Sequence, residues 1–461
     1  MVIEQHSPLN ETVLLFFFEE NDMRIPDTET FLVPCATLLG KRDDEFAQLL
    51  YSPLRDELAL VDYEAARRIL KANPQDEEYI EMRKAFYADE IAEIPVRDIT
   101  QTHQMSILPN LKCNFACSYC YSAKGRSNME LDWDKAKSAL DYFISTDRIH
   151  PCNLRLFISG GGEPLISWPL TEKIITYACQ RAEEQKFSLH IGLITNASLV
   201  DDDIAESLSR CRVTVGVSFE VLEDLQNVQR KNYDAVRRGI SILLAHGCTV
   251  KFNSTITPVS VHRMREMVNA VAHDYPDIAA YTMEPVTAAN LFESAADLRT
   301  FYDTFIDEYV ECRHIARQKG IPLRFTFDDT QRGTVVRHCP GKFCVTPTGA
   351  LSACHLVSSP KEDRYDECTY GQVTERGVEL NKDKFSQLYQ KNVLSYPECK
   401  DCFAKWDCGG ECLTRRSTYP ADYMHEVCRF NRRILKLQLL ERVRETILSE
   451  MGISIEEYLN N

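Results

Sequence analysis

The sequence predicts an α/β core, preceded by a smaller mixed segment and followed by a cysteine-rich one. Three observations carry this expectation. Between about residues 104 and 290, six short β-rich runs alternate with helical stretches, which argues for parallel strands joined by helical crossovers. The chain has 461 residues, too long for one compact core and suggestive of two or three domains. Half of its 18 cysteines fall between residues 339 and 428, among glycines and prolines and with weak helical periodicity. Such a segment has little apolar core of its own and needs a metal or cluster to hold it.

In chain order, residues 1–100 form a preface. Thr12–Glu19 and Thr30–Val33 read as strands, and Tyr63–Lys71 and Glu77–Tyr87 as helices. Pro95 and the polar stretch Asp98–Gln104 mark its end. Residues 101–296 carry the alternating pattern. Strands are expected at Met105–Leu108, Leu154–Ile158, Leu189–Ile194, Val213–Phe219, Thr249–Ile256 and Ala280–Glu284. Helices are expected at Asp134–Ser145, Leu170–Glu184, Asp202–Ser209, Tyr233–His246 and Val261–Asp274. On pattern alone, a partial barrel and an open doubly wound sheet both satisfy this order. A long helix at 297–319 opens a bridge that runs to 338. Residues 339–430 are the cysteine-rich segment. A helix rich in Leu, Arg and Glu follows Cys428, runs to about Ser449 and makes 431–461 a C-terminal element.

The net charge of -16 and pI of about 5.3 oppose nonspecific binding to nucleic acid or anionic membranes, so neither is expected as a partner. No apolar run reaches the roughly 18–20 residues of a membrane helix. The opening MVIEQHSPLNETVLLFFFEEND lacks a basic leader and a small-residue cleavage site, so a cytoplasmic location is expected. In that reducing compartment a disulfide framework for 18 cysteines is improbable, and metal or cluster ligation is the natural alternative.

Cys113, Cys117 and Cys120 form C-x3-C-x2-C just after the first core strand. Three thiolates on one short loop can hold three irons of a [4Fe–4S] cluster and leave the fourth open for chemistry. A zinc site lacking one ligand, or a set of buried structural cysteines, is the plainer alternative. The spacing and position resemble the radical S-adenosylmethionine (SAM) superfamily. That resemblance implies an open iron binding the amino and carboxylate groups of SAM. It also implies an electron from a reducing donor such as flavodoxin or ferredoxin, and cleavage of SAM to methionine and a 5′-deoxyadenosyl radical. Tyr119 matches the position near the adenine. Ser159-Gly-Gly-Gly-Glu-Pro164 matches the family's GGEP element one βα unit later. Gly161 and Gly162 there admit close backbone approach, and Glu163 can accept from the methionine ammonium. Thr195 and Asn196 end the third strand, Ser218 and Glu220 the fourth, and Arg230 follows. In a barrel these ends share one face. The resemblance assigns Ser218 and Arg230 to the ribose and the methionine carboxylate. Glu220-Val221 replaces the family's usual Asp-Gly, which weakens any role carried over to Glu220.

Further on, Cys339-x9-Gly349-x4-Cys354 precedes Cys399-x2-Cys402-x5-Cys408-x3-Cys412 and then Cys428. This series resembles the SPASM extension of radical SAM enzymes, and Cys344 supplies an eighth thiol. The resemblance groups Cys339, Cys344, Cys354 and Cys412 around a first auxiliary [4Fe–4S] cluster. It groups Cys399, Cys402, Cys408 and Cys428 around a second, giving three clusters in all. Two four-thiolate zinc sites are the alternative that C-x2-C alone permits. The remaining cysteines (35, 152, 179, 211, 248, 312 and 368) read as small buried apolar residues.

The resemblance covers about residues 104–430. It implies a partial (β/α)6 barrel joined to a cluster-bearing extension, acting on peptides or proteins. The leading expectation is a maturase of a ribosomally made precursor peptide with a leader, forming a thioether or carbon–carbon cross-link. The runner-up is a sulfatase-maturating enzyme, which makes formylglycine. That family has an aspartate base directly after the glycine-motif cysteine. Here His355 takes that place, and it could accept a proton near neutral pH. The preface is outside the resemblance and is expected either to bind a leader as an added strand or to cap the barrel. From a third class, a non-catalytic electron-transfer or zinc-scaffold protein would need no SAM.

Overall fold

The computed structural model describes residues 22–35, 48–328 and 334–459, so the strand expected at Thr12–Glu19 lies outside the described residues. The preface contains an antiparallel sheet of β1 (Met23–Arg24), β2 (Phe31–Pro34), β3 (Gln48–Ser52) and β4 (Glu57–Val61), in that order. Side chains alternate across its two faces. Leu32 and Leu50 pack on one face with Ala66 and Tyr79 from the helices Tyr63–Lys71 and Glu77–Ala85. Phe31, Val33, Leu49 and Tyr51 face the other way, onto Phe403, Leu435, Leu439, Leu440 and Val443. With both faces covered, β2 and β3 are almost wholly buried.

The second sheet is built on β5 (Gln104–Ile107), β6 (Asn153–Ile158), β7 (Ser188–Thr195), β8 (Thr214–Ser218), β9 (Thr249–Ile256) and β10 (Ala280–Pro285). These strands are parallel and lie side by side in chain order. Unbroken sequential order belongs to a barrel wall, because a doubly wound sheet reverses at a switch point. This decides between the two arrangements that the pattern left open. Alternate residues such as Leu154, Leu156 and Ile158 point into the core. Asp132 and Asp201 cap the crossover helices Trp133–Phe143 and Asp202–Arg210 by accepting from first-turn N–H groups.

β11 (Leu323–Arg324) adds in parallel beside β10. On the opposite edge β12 (Phe343–Val345) pairs in parallel with β5. From it β13 (Ala350–Ser352), β14 (Thr369–Thr374) and β15 (Gly377–Leu380) continue as an antiparallel meander. The cysteine-rich segment therefore continues the barrel's own sheet.

The bridge is the helix Ala295–Lys319, ended by Gly320 in the left-handed conformation. It packs against the C-terminal helix through a stacked Tyr302–Phe430 pair with centroids 4.3 Å apart. That C-terminal helix spans Ala421–Met451 and so begins before Cys428, not after it. Pro420 precedes its first residue, and Tyr423, Val427, Phe430 and Ile434 form its buried stripe, a 3.6-residue period that the cysteine interrupts without breaking. No described helix is long and apolar enough to cross a membrane.

Candidate SAM and cluster sites

The loop after β5 carries Cys113, Cys117 and Cys120, all partly exposed. Two guanidiniums are directed at their sulfurs: Arg126 donates to Cys120 Sγ at 3.2 Å and Arg230 to Cys117 Sγ at 3.7 Å. Burial raises the thiols of Cys113 and Cys117, against the pull of Arg126 and Arg230. A cation that holds a sulfur also favours its thiolate, the form that binds iron.

The Ser159–Pro164 turn follows β6 and closes on this loop. Gly161 has φ +71°, and a Cβ at Gly162 would stand 2.0 Å from the Lys112 carbonyl oxygen. The turn and the residue before Cys113 are thus in contact at a distance only glycine allows. Glu163 is buried. Its Oε1 accepts from Leu165 N–H at 3.1 Å and the Thr195 hydroxyl at 2.6 Å, and its Oε2 accepts from Asn196 N–H at 2.7 Å. Burial raises its pKa while these donors oppose the rise. The carboxylate is largely occupied by the end of β7, and Oε2 keeps one lone pair for an incoming donor. Asn196 Nδ2 donates to Asn114 Oδ1 at 2.9 Å, tying the same strand end to the cysteine loop.

Ser218 ends β8, and Glu220, two residues on, is fully buried. Glu220 Oε1 accepts from Arg230 Nε at 2.8 Å and from the Tyr119 hydroxyl. Arg230 also lies 5.3 Å from the Tyr119 ring centroid. Burial, then Glu220, holds the Tyr119 phenol far above its usual pKa, so it stays a donor. Glu220 Oε2 is buried with no hydrogen-bond partner. Glu220 thus organises Tyr119 and Arg230 beside Cys117, a role that the Asp-Gly mismatch obscured in the sequence. Asn114 and Arg126 were also missed, because nothing in their spacing distinguishes them from loop polar residues.

The C-terminal thiols fall in two neighbourhoods. Cys354 has Cys412 and Cys339 among its neighbours, and Cys344 has Cys354. Cys408 has Cys428, Cys402 and Cys399. Cys368, expected to be a scattered apolar residue, is buried and borders Cys354 and Cys412. Arg416 donates to Cys399 Sγ at 3.5 Å and Asn431 to Cys408 Sγ at 3.4 Å. Burial raises Cys344, Cys354 and Cys399 to about 12, and ligation would displace those protons. Among the described residues no three His, Cys, Asp or Glu side chains converge closely enough for a single metal ion. The fit to clusters therefore rests on the donor set and its neighbours.

His355 links the regions. Its carbonyl oxygen would lie 3.3 Å from a Cβ at Gly160, and its ring meets Tyr121 edge-on with centroids 6.1 Å apart. The residue as a whole is partly exposed, yet Nδ1 is shut off from solvent without a partner. Burial, with Lys342 second, pushes the imidazolium down to about 3. Burial thus holds the ring in its neutral form.

A family model described as the radical SAM superfamily matches residues 107–271. An uncharacterized protein of Methanocaldococcus jannaschii is 27% identical over 34% of this chain and 54% of its own length. The chain thus spans about half of that relative, and 61% of a second archaeal one from Methanothermobacter thermautotrophicus. The radical SAM cyclopropyl synthase TigE of Paramaledivibacter caminithermalis is 19% identical over 68% of this chain and 68% of its own. A serine-type anaerobic sulfatase-maturating enzyme of Klebsiella aerogenes is 25% identical over 65% of this chain and 76% of its own. The structure of native anSMEcpe with bound AdoMet and Cp18Cys peptide superposes with a TM-score of 0.57 at 15% identity, covering 73% of this chain and 98% of that one. At that identity the likeness is one of fold.

Proposed function

We propose that this chain, which matches the radical SAM superfamily model over residues 107–271, is a radical SAM enzyme that matures a ribosomally made precursor peptide by installing a thioether or carbon–carbon cross-link. In this reading Cys113, Cys117 and Cys120 hold the SAM-binding cluster. Gly161, Gly162, Glu163, Thr195, Asn196, Tyr119, Ser218 and Arg230 cradle SAM. The other eight thiols hold two auxiliary clusters. The bound cluster and SAM supply a 5′-deoxyadenosyl radical that takes a hydrogen from the substrate. The chain's own residues orient SAM, exclude water and hold the substrate carbon. A leader-bearing precursor and a reducing donor such as flavodoxin or ferredoxin are its partners.

One observation carries this reading: the Cys354–His355 turn packs on the glycine turn proposed to hold SAM, where the His355 carbonyl oxygen would stand 3.3 Å from a Cβ built on Gly160. Cys354, a proposed auxiliary-cluster ligand, is thereby brought beside the proposed SAM-binding turn, where an electron acceptor would serve a substrate radical. His355 serves as a neutral hydrogen-bonding group beside that substrate. TigE, similar over about two thirds of the chain, is a radical SAM cyclopropyl synthase, which supports carbon–carbon bond formation.

The similarity to the Klebsiella enzyme keeps formylglycine formation as the second reading. The presence of His355, where that family has an aspartate directly after the glycine-motif cysteine, opposes it. The test is anaerobic reconstitution followed by an iron count and 5′-deoxyadenosine assay with SAM and dithionite. A cysteine-bearing precursor encoded beside the gene, or a sulfatase peptide, is then added. A product lacking two hydrogens and carrying no aldehyde supports the cross-link. Capture of the product by a hydrazide reagent supports formylglycine. Absence of SAM cleavage would sink both.

A further inference from the structure

Away from the SAM site, a buried ionic cluster joins the N-terminal sheet to the stretch bearing Cys399, Cys402 and Cys408. Glu29 is 2% exposed, Lys405 3% and Trp406 0%. Lys405 Nζ lies 2.9 Å from Glu29 Oε1 and 2.6 Å from Oε2, and it donates to the Lys400 carbonyl at 2.9 Å. All three ammonium donors are thus used, two of them on one carboxylate. Trp406 Nε1 donates to Glu29 Oε2 at 2.7 Å. Arg24, on β1, pairs with Glu29 at 3.0 Å and with Asp401 at 3.5 Å. Close by, the Tyr51 hydroxyl donates to both oxygens of Asp407, at 2.9 and 3.0 Å.

Contacts from the preface therefore fall on residues 401, 405, 406 and 407, interleaved with Cys402 and Cys408. Apolar packing of Phe31 and Tyr51 on Phe403 and Ala404 already joins the two parts. A buried ion pair adds little stability over an apolar pair of similar shape, and its best-attested use is to set register. The stretch has only short elements among the described residues, the 3-10 turn Pro397–Cys399 and the one-turn helix Lys405–Cys408, so contacts from outside help set its register.

We infer that Glu29 is a positioning residue of the second auxiliary cluster, setting the places of Cys402 and Cys408 through Lys405 and Trp406. The inference rests on reading Cys399, Cys402, Cys408 and Cys428 as that cluster's ligands. It makes the preface part of a cluster site.

The test uses the full chain with Cys113, Cys117 and Cys120 replaced by alanine, which isolates the auxiliary clusters and should hold about eight irons after reconstitution. Cys428→Ala in this background should lower the count to about four. If it does not, the ligand assignment fails and the inference falls with it. Glu29→Gln keeps size but strands the Lys405 ammonium. It should bring the count toward about four, or displace the EPR spectrum of the reduced second cluster. Glu29→Gln combined with Lys405→Met removes both charges and should restore iron and spectrum. If the single variant fails to fold, the double variant carries the test. Full iron with an unchanged spectrum in Glu29→Gln, or a double variant that holds no second cluster, would overturn the inference.

Discussion

Glu220 stands at the centre of the proposed SAM site. It is the counter-ion of Arg230 and the acceptor of the Tyr119 hydroxyl, while Arg230 also reaches Cys117. Removing its charge leaves a guanidinium, 11% exposed, without compensation, a loss of about 3–5 kcal/mol for a buried pair. Glu220→Gln is expected to lower the thermal midpoint and to weaken SAM binding about tenfold, or about 1.4 kcal/mol, by equilibrium titration. Iron on the three-cysteine loop should stay, because no ligand is touched. Glu163→Gln is expected to lose both SAM affinity and stability. Its amide presents N–H where Thr195 or Asn196 also donates, at about 1–3 kcal/mol for the unsatisfied donor. Iron content should again hold, and a variant with unchanged melting and SAM affinity would refute the buried network. The GGEP spacing in the sequence pointed to Glu163. It could not reveal that the end of β7 occupies the carboxylate, because those donors lie 32 and 33 residues away.

Among the elements, the turn after β6 and the loop after β5 form one unit. Gly162 faces the Lys112 carbonyl, where a Cβ would lie 2.0 Å away. Gly162→Ala must push the backbone that carries Cys113. The expected outcome is loss of about four irons and of 5′-deoxyadenosine formation, with the circular dichroism of the barrel retained. Full iron in that variant would show that the turn does not set the loop. The strand–helix alternation behind this unit was legible in the sequence, because apolar period and caps are local. The start of the C-terminal helix was not. Its polar first turns resemble the irregular segment before them, and only packing against Tyr302 and Arg299 reveals a buried stripe reaching back to Tyr423.

For the whole molecule, the packing of the preface supports a scaffold role for it. Its sheet covers Phe403 and the apolar stripe Leu435, Leu439, Leu440, Val443 and Ile447 of the C-terminal helix. Removing residues 1–95 should expose this stripe. The truncated chain is then expected to aggregate and to lose auxiliary iron before any peptide is added. A soluble truncation with full iron that fails only in precursor binding would instead assign the preface to recognition alone. Both outcomes are read by size-exclusion chromatography, iron count and precursor titration.

By itself the sequence determined the parallel alternation, the cysteine order and the glycine turn, because each is a matter of spacing along a covalent chain. Tertiary structure alone decided which groups hold these in place. Glu220 gained its role by meeting Tyr119 across 101 positions, and Glu29 by meeting Lys405 across 376. Such contacts leave no periodicity, since a buried charge needs a partner in space and not at any fixed distance in sequence.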